Sequence, residues 1–361
     1  MKKSRILILL SILGLSVALS ACGIRVPPSS WPGITVSEDS VYVAYGPHVY
    51  SLQLNNGLER WRFPEKADNG TTYYAVPALS EDGQLFFGSY GRNSNAGNVF
   101  YSVDPANGQQ NWSFDNGGNR YIASPLVTDE AIFLPNADGK LYELSLSGAP
   151  DGSFETGDSL WAKPASNGEL LFVSSMDHVL YAIDAGSKAV RWSQDLGGAV
   201  VSTPTIGPDG NLYVGTFAGE VLALNSKSGK VIWRITTQDW VWGSPELVDG
   251  TLYVGDLGGN FYALEAKSGK QVWKFEAEGA ITGHAVVVGE SIYFLTEAGH
   301  IYALNLDGTI KWKNTPIEEA KFYGSPVAVG GLLLIGVVNA DAILLAVNLD
   351  GSQQWLFEPK K

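Results

Sequence analysis

From residue 31 onward the apolar positions fall in short runs separated by Gly, Asp, Asn or Ser. The stretch SPELVDGTLYVGDLGGNFYALEAKSGKQVWKF, beginning at Ser244, and TPTIGPDGNLYVGTFAGEVLALNSKSGKVIWRI, beginning at Thr203, each divide into four such runs. Runs this short, bounded by turn residues, predict four strands per stretch. Asp-Leu-Gly-Gly-Asn joins the second run (Leu252 to Val254) to the third (Phe261 to Leu264), and Lys-Ser-Gly-Lys joins the third to the fourth. Both connections hold the glycine that a tight hairpin needs where φ is positive.

The four-run unit repeats. Tryptophans recur at Trp61, Trp112, Trp192, Trp233, Trp273, Trp312 and Trp355, with gaps of 51, 80, 41, 40, 39 and 43. The gap of 80 holds two periods, so one repeat between Trp112 and Trp192 has lost its tryptophan. Seven marked repeats and one degenerate repeat make eight. A four-stranded sheet cannot bury both its faces alone, and a period of about 40 residues is that of a propeller blade, which gains its core by radial stacking on neighbours. The expected fold is therefore all-β, an eight-bladed β-propeller over residues 31–361. Its blades begin at Trp31, Val76, Ser124, Lys163, Thr203, Ser244, His284 and Ser325. Most open on a proline (Pro77, Pro125, Pro164, Pro204, Pro245, Pro326), which a strand tolerates at its start on the innermost edge. His284-Ala285 breaks that pattern. Each blade uses consecutive strands, so closing the ring needs no exchange of strands between its ends, although residues 23–30 could add an edge strand.

Charge and the N-terminus narrow the setting. Lys2, Lys3 and Arg5 precede an apolar run from Ile6 to Leu19, which has the form of a secretory signal and is too short for a comfortable transmembrane span. Leu19-Ser20-Ala21-Cys22 resembles a bacterial lipobox, which implies cleavage before Cys22 and acylation of its thiol. Cys22 is the only cysteine, so an internal disulfide is excluded. The expectation is a signal over residues 1–21, a lipid-anchored linker over 22–30, and an extracytoplasmic location on the cell membrane or outer membrane. Removing residues 1–21 takes away three positive charges and no negative ones, and moves the formal charge from −13 to −16. Such a field repels phosphate backbones, so nucleic acid is not an expected partner.

The turn between third and fourth runs reads Ala263-Leu-Glu-Ala-Lys-Ser-Gly269-Lys270-Gln-Val-Trp273, and Ala223 to Trp233 matches it. This resembles the tryptophan-docking motif (AxDxxTGKxxW) of propellers in the pyrroloquinoline quinone (PQQ) family. Glycine precedes tryptophan by four at Gly57, Gly108, Gly229, Gly269, Gly308 and Gly351. Blade four has Lys188 in the glycine position, and in blade three Gly152 holds the place of the tryptophan. The resemblance covers residues 31–361 and implies structural docking roles for the seven tryptophans, each filling an interblade space and needing a carbonyl for its N–H.

Two branches of that family bear on function. Quinoprotein dehydrogenases bind PQQ and calcium in the funnel, whereas BamB-like lipoproteins present a propeller to an outer-membrane protein assembly machine. The chain resembles the second through its lipoprotein-like start and short loops, and lacks the Cys-Cys pair, CxxCH pattern and long insertions of the first. The expectation is a monomeric protein-binding scaffold with no cofactor and no catalytic residues. A quinoprotein oxidoreductase, or a surface sensor or solute-binding propeller, is the alternative.

Chemistry-bearing residues are scattered. His48, His178, His284 and His300 fall in four different blades, so no metal site is expected. The feature that stands out is aromatic: Tyr74, Trp161, Trp242 and Tyr323 stand three residues before the proline position of blades two, four, six and eight. Ile122, Val201 and Thr282 hold that place in odd blades, and Tyr73, Tyr121, Trp240 and Phe322 adjoin the set. All lie where one blade's outer strand returns to the next blade's inner strand, at one rim of the funnel. They form either interblade packing or an aromatic collar for a partner, a peptide or a sugar. Blade two carries an insertion, Ser89 to Asn98, whose only basic residue is Arg92; it reads equally as a recognition loop or a surface excursion.

Overall fold

The computed structural model describes residues 31–68, 70–91 and 97–360, and all its regular elements are β-strands. They form eight four-stranded antiparallel sheets, each from strands consecutive within its blade, in an eight-bladed β-propeller. Blade six is representative, with an innermost strand Glu246–Val248, then Thr251–Gly255, Asn260–Glu265 and an outermost strand Gln271–Glu276. Glu246 faces Tyr253 in the ladder, Leu252 faces Leu264, and Ala263 faces Trp273, with a register shift between Ala263 and Leu264. Blade two adds a two-stranded ribbon in which Thr71–Thr72 pairs with Tyr90–Gly91. This anchors the start of its insertion, while Arg92 lies outside the described residues, as do Cys22 and residues 22–30.

The two middle strands of each blade are buried almost throughout, because both their faces lie against neighbouring sheets. That accounts for continuous runs such as Leu-Tyr-Val and Phe-Tyr-Ala-Leu in place of strict alternation. The core is thus a series of clusters between blades: Phe172, Leu180, Leu212 and Leu224 pack between blades four and five, and Tyr50, Leu52, Leu344 and Phe357 between eight and one. Outermost strands alternate exposed and half-buried positions.

Each of the seven repeat tryptophans reaches across a joint. Trp61 Nε1 donates to Pro105 O at 2.9 Å, Trp192 Nε1 to Ser226 O at 2.8 Å, and Trp233 Nε1 to Ala266 O at 2.8 Å. Trp112, Trp273 and Trp312 donate to Leu146 O, Leu306 O and Leu349 O, and Trp355 to Leu54 O. The accepting carbonyl belongs to the third-to-fourth turn of the following blade, whose glycine lies beneath the indole face. At Gly57, with φ near +70°, an added Cβ would come within 2.5 Å of the Trp355 ring. A buried N–H that finds its acceptor costs nothing for its burial, while the ring fills the joint.

The joint between blades three and four is built otherwise. The innermost strand of blade three is Leu126–Val127, followed by Ala131–Pro135, Lys140–Ser145 and Pro150–Glu155. Gly152 stands where the tryptophan would be, and Glu143 takes the buried place that Ala182, Ala223 and Ala263 hold opposite their tryptophans. Lys188, at the glycine position with φ near +60°, pairs with Glu143 (Nζ to Oε2, 2.5 Å) and donates to Ala185 O, the counterpart of the carbonyl that accepts an indole N–H elsewhere. An ammonium thus replaces the indole donor and leaves the indole's volume unfilled, in a recess of about 760 Å³.

Candidate functional site

The connections from each outermost strand to the next innermost strand place two kinds of residue side by side. Four positions before the proline site stand Tyr73, Tyr121, Leu160, Val200, Val241, Ile281 and Phe322, all buried. These side chains plug the joint over the end of a neighbouring second strand; Val241 lies so close to Gly215 that an added Cβ there would meet its Cγ1 at 2.2 Å. Tyr73 packs edge-on to Phe63 and Phe87, and Tyr121 tilts against Phe100. The structure therefore places Tyr73, Tyr121 and Phe322 inside the joints, away from the rim. In extended chain, neighbouring side chains point opposite ways, so the aromatics that adjoin the collar in sequence turn inward.

One residue further on, Trp31, Trp242, Thr282 and Tyr323 line the axis. Tyr74 and Trp161 hold the equivalent sequence position. In blade one the register sets Thr35 against Tyr42 as it sets Glu246 against Tyr253, which makes Ile34 the counterpart of Pro245 and Trp31 that of Trp242. Trp31 crosses the mouth of the channel. Its ring centroid lies 6.3 Å from Tyr74 of blade two and 6.0 Å, edge-on, from Trp242 of blade six. Trp242 in turn meets Phe217 at 5.2 Å, and Phe217 stacks on Trp240 at 5.0 Å. At the other end Tyr74 touches Tyr90 at 5.3 Å, and Arg120 lies over the Tyr90 ring at 4.0 Å while donating to its hydroxyl. Six rings from Tyr90 to Trp240 thus form one line across the face, ending in a tryptophan that is 50% exposed.

Two collar residues stand off this line. The hydroxyl of Tyr323 donates to Glu297 Oε1 at 3.0 Å, beside Lys321 Nζ at 2.6 Å from the same oxygen. The Lys321 ammonium, with that hydroxyl, holds the Glu297 carboxyl below its ordinary value, and burial raises the Tyr323 phenol. Trp161 keeps its Nε1 buried with no acceptor among the described residues.

Beneath the collar lies a chamber of about 500 Å³ on the axis. Among the described residues of its lining, Lys163 and His284 carry the charged or titratable nitrogens and none is a carboxylate. PQQ with calcium, which the quinoprotein branch would bring, does not fit this lining: three carboxylates would meet one ammonium, and the metal would lack the six to eight oxygens it takes. Among the described residues no group of three His, Cys, Asp or Glu is placed to hold a metal.

The family model described as outer membrane protein assembly factor BamB matches residues 23–155, 152–208, 205–283 and 262–360. The chain belongs to the BamB family. A BamB from Burkholderia pseudomallei (strain K96243) is 27% identical over 127 residues, 35% of this chain and 33% of that one. The serine/threonine-protein kinase AfsK of Streptomyces griseus is 27% identical over 151 residues, 37% of this chain and 18% of the kinase. The chain thus spans a third or less of the length of the curated relatives it matches. The crystal structure of BamB from Moraxella catarrhalis superposes with a TM-score of 0.67 at 15% identity, over 88% of this chain and 91% of that one. The computationally designed Ika8 protein gives a TM-score of 0.71 at 11% identity, over 92% and 98%. At such identities the two structures speak for the BamB fold alone. No ring of the aromatic line was marked by the repeat motif that defines the family. Trp31 was signalled only by its distance from Ile34, and Phe217 and Tyr90 by nothing in the repeat.

Proposed function

We propose that this chain is a non-enzymatic scaffold of the cell envelope, held to the membrane by acyl chains on Cys22, that presents its aromatic collar to a protein of outer-membrane protein assembly. Residues 1–21 act as the signal, 22–30 as the tether, and 31–361 as a monomeric propeller. The observation that carries the reading is the line of six rings ending at exposed Trp240, in a chain of the BamB family. Aromatic side chains clustered at a rigid surface supply large contact area at little entropic cost, which is why they dominate interface cores. The acidic charge of the chain leaves lipid to supply the membrane contact.

Co-purification of the full chain from solubilised membranes tests this. Recovery of an outer-membrane assembly protein, lost on Trp240→Ala with Trp242→Ala, supports it; recovery of the chain alone from a cell with two membranes removes it. Cys22→Ser should move the protein from the membrane fraction to the soluble fraction. In a cell with one membrane the partner role gives way to a surface sensing or solute-binding role on the same collar.

A further inference from the structure

The residues just before the proline sites form a second ring, one layer below the collar. Val76, Ser124, Lys163, Thr203, His284 and Ser325 are its members that line the axial chamber. Hydroxyls dominate it, with one ammonium and one imidazole. Ser325 Oγ accepts from the backbone N–H of His284 at 2.9 Å and lies 2.7 Å from its Nδ1. When that hydroxyl donates to Nδ1, the neutral ring keeps its Nε2–H as a donor. Ser124, Lys163 and Thr203 make no side-chain hydrogen bond among the described residues, so their donors face the chamber unclaimed.

Charge makes the ring stand out. The protein is strongly acidic, yet Lys163 forms no ion pair among the described residues and no carboxylate lines its chamber. Crowding by the surrounding blades lowers both Lys163 and His284 from their ordinary values although each residue is exposed to the chamber, and no neighbouring charge opposes the shift. Glu246, on the innermost strand of blade six, is outside the lining, and its own carboxyl is raised by burial. Above the ring lie Trp31, Trp242 and Tyr323, and below it Leu79, Val127 and Val327. The chamber therefore offers hydrogen-bond donors at its waist and apolar surface at both ends, in a volume suited to a small molecule.

We propose that the axial chamber binds a small organic monocarboxylate, its carboxylate held by Lys163 and the hydroxyl ring and its apolar body set against Trp31 and Trp242. One ammonium matches one carboxylate, and a hydrogen bond to an ionised group in a partly dry site is about twice as strong as a neutral one. A flat apolar body uses the ring faces that close the mouth. Trp240, the exposed end of the partner surface, lies outside the chamber, while Trp31 and Trp242 belong to both.

Titration of the full-length, detergent-solubilised protein with phenylacetate, followed by calorimetry and by tryptophan fluorescence, tests the site. Saturable one-to-one binding is expected, with phenylacetamide, of the same shape and no charge, about tenfold or more weaker. Lys163→Met should weaken phenylacetate by a similar factor and leave phenylacetamide unchanged, and Lys163→Arg should retain most of the affinity. Equal affinity for acid and amide, an unchanged affinity in Lys163→Met, or no saturable signal would each overturn the assignment. The acid-to-amide ratio is read on the unmodified protein, so a poorly folded variant does not spoil the result.

Discussion

Trp355 Nε1 donates to Leu54 O at 3.0 Å across 301 residues of sequence, and this bond joins the last blade to the first. Tyr50 and Phe357 meet edge-on in the same joint at 5.3 Å. The seam that closes the ring is therefore made as six other joints are, by an indole and a carbonyl. Trp355→Ala removes a ring that is 8% exposed and leaves a cavity between blades, so stability should fall by about 3 kcal/mol in urea titration. A loss below about 1 kcal/mol would mean that the joint is held by something other than the indole.

The joint between blades three and four lends itself to repair. Lys188→Ala strands Glu143 as a buried charge and should cost about 3 kcal/mol. Glu143→Ala, Gly152→Trp and Lys188→Gly together restore the docking triad and should raise stability by about 2 kcal/mol, since replacing a buried ion pair by well-packed apolar groups is neutral to stabilising. A triple variant less stable than the unmodified protein would show that the recess is not indole-shaped.

Trp240 is half exposed and stacks on Phe217, whereas Trp242 is wedged between Phe217 and Trp31. Trp240→Ala should leave the melting temperature within about 1 °C and weaken partner capture about thirtyfold or more, the size of a binding hot spot. Trp242→Ala should lower both. If Trp240→Ala lowers the melting temperature and binding together, the collar is packing and not an interface.

Glu297 ties acidity to the rim. Its carboxyl, ordinarily near 4.5, is lowered first by Lys321 and then by the Tyr323 hydroxyl. A carboxylate lowered on folding contributes stability that is complete above its unfolded value and is lost as pH falls through the folded one. Glu297→Gln should therefore be less stable than the unmodified protein at pH 7, with the two curves converging as pH falls below the ordinary value and through the lowered folded one. The pair is partly exposed, so the difference is small and shrinks in high salt. Curves that stay parallel down to pH 3 would remove the linkage.

The fold was legible because the physics repeats. An indole, a glycine beneath it and a carbonyl to receive its N–H recur at seven of the eight joints, so Trp233 and Gly269 carry a period that survives the loss of one tryptophan. The collar was half legible. Its axial members showed as aromatics at a fixed distance from a proline, but Tyr73, Tyr121 and Phe322, one position away, point into the joints, and only the pleat separates the two sets. Trp31 escaped because Ile34 stands where the marker proline would be. The pairing of Glu143 with Lys188 escaped as well, although a glutamate in a column otherwise filled by Ala182, Ala223 and Ala263 was its signal.

Trp31 sits over the hub, so the described chain enters the propeller at the centre of one face and not at a blade edge. Its ring bears on both Tyr74 and Trp242, which stand on different sides of the wheel. A pull applied at Trp31 would therefore be divided between two sides of the wheel before it reached any one joint.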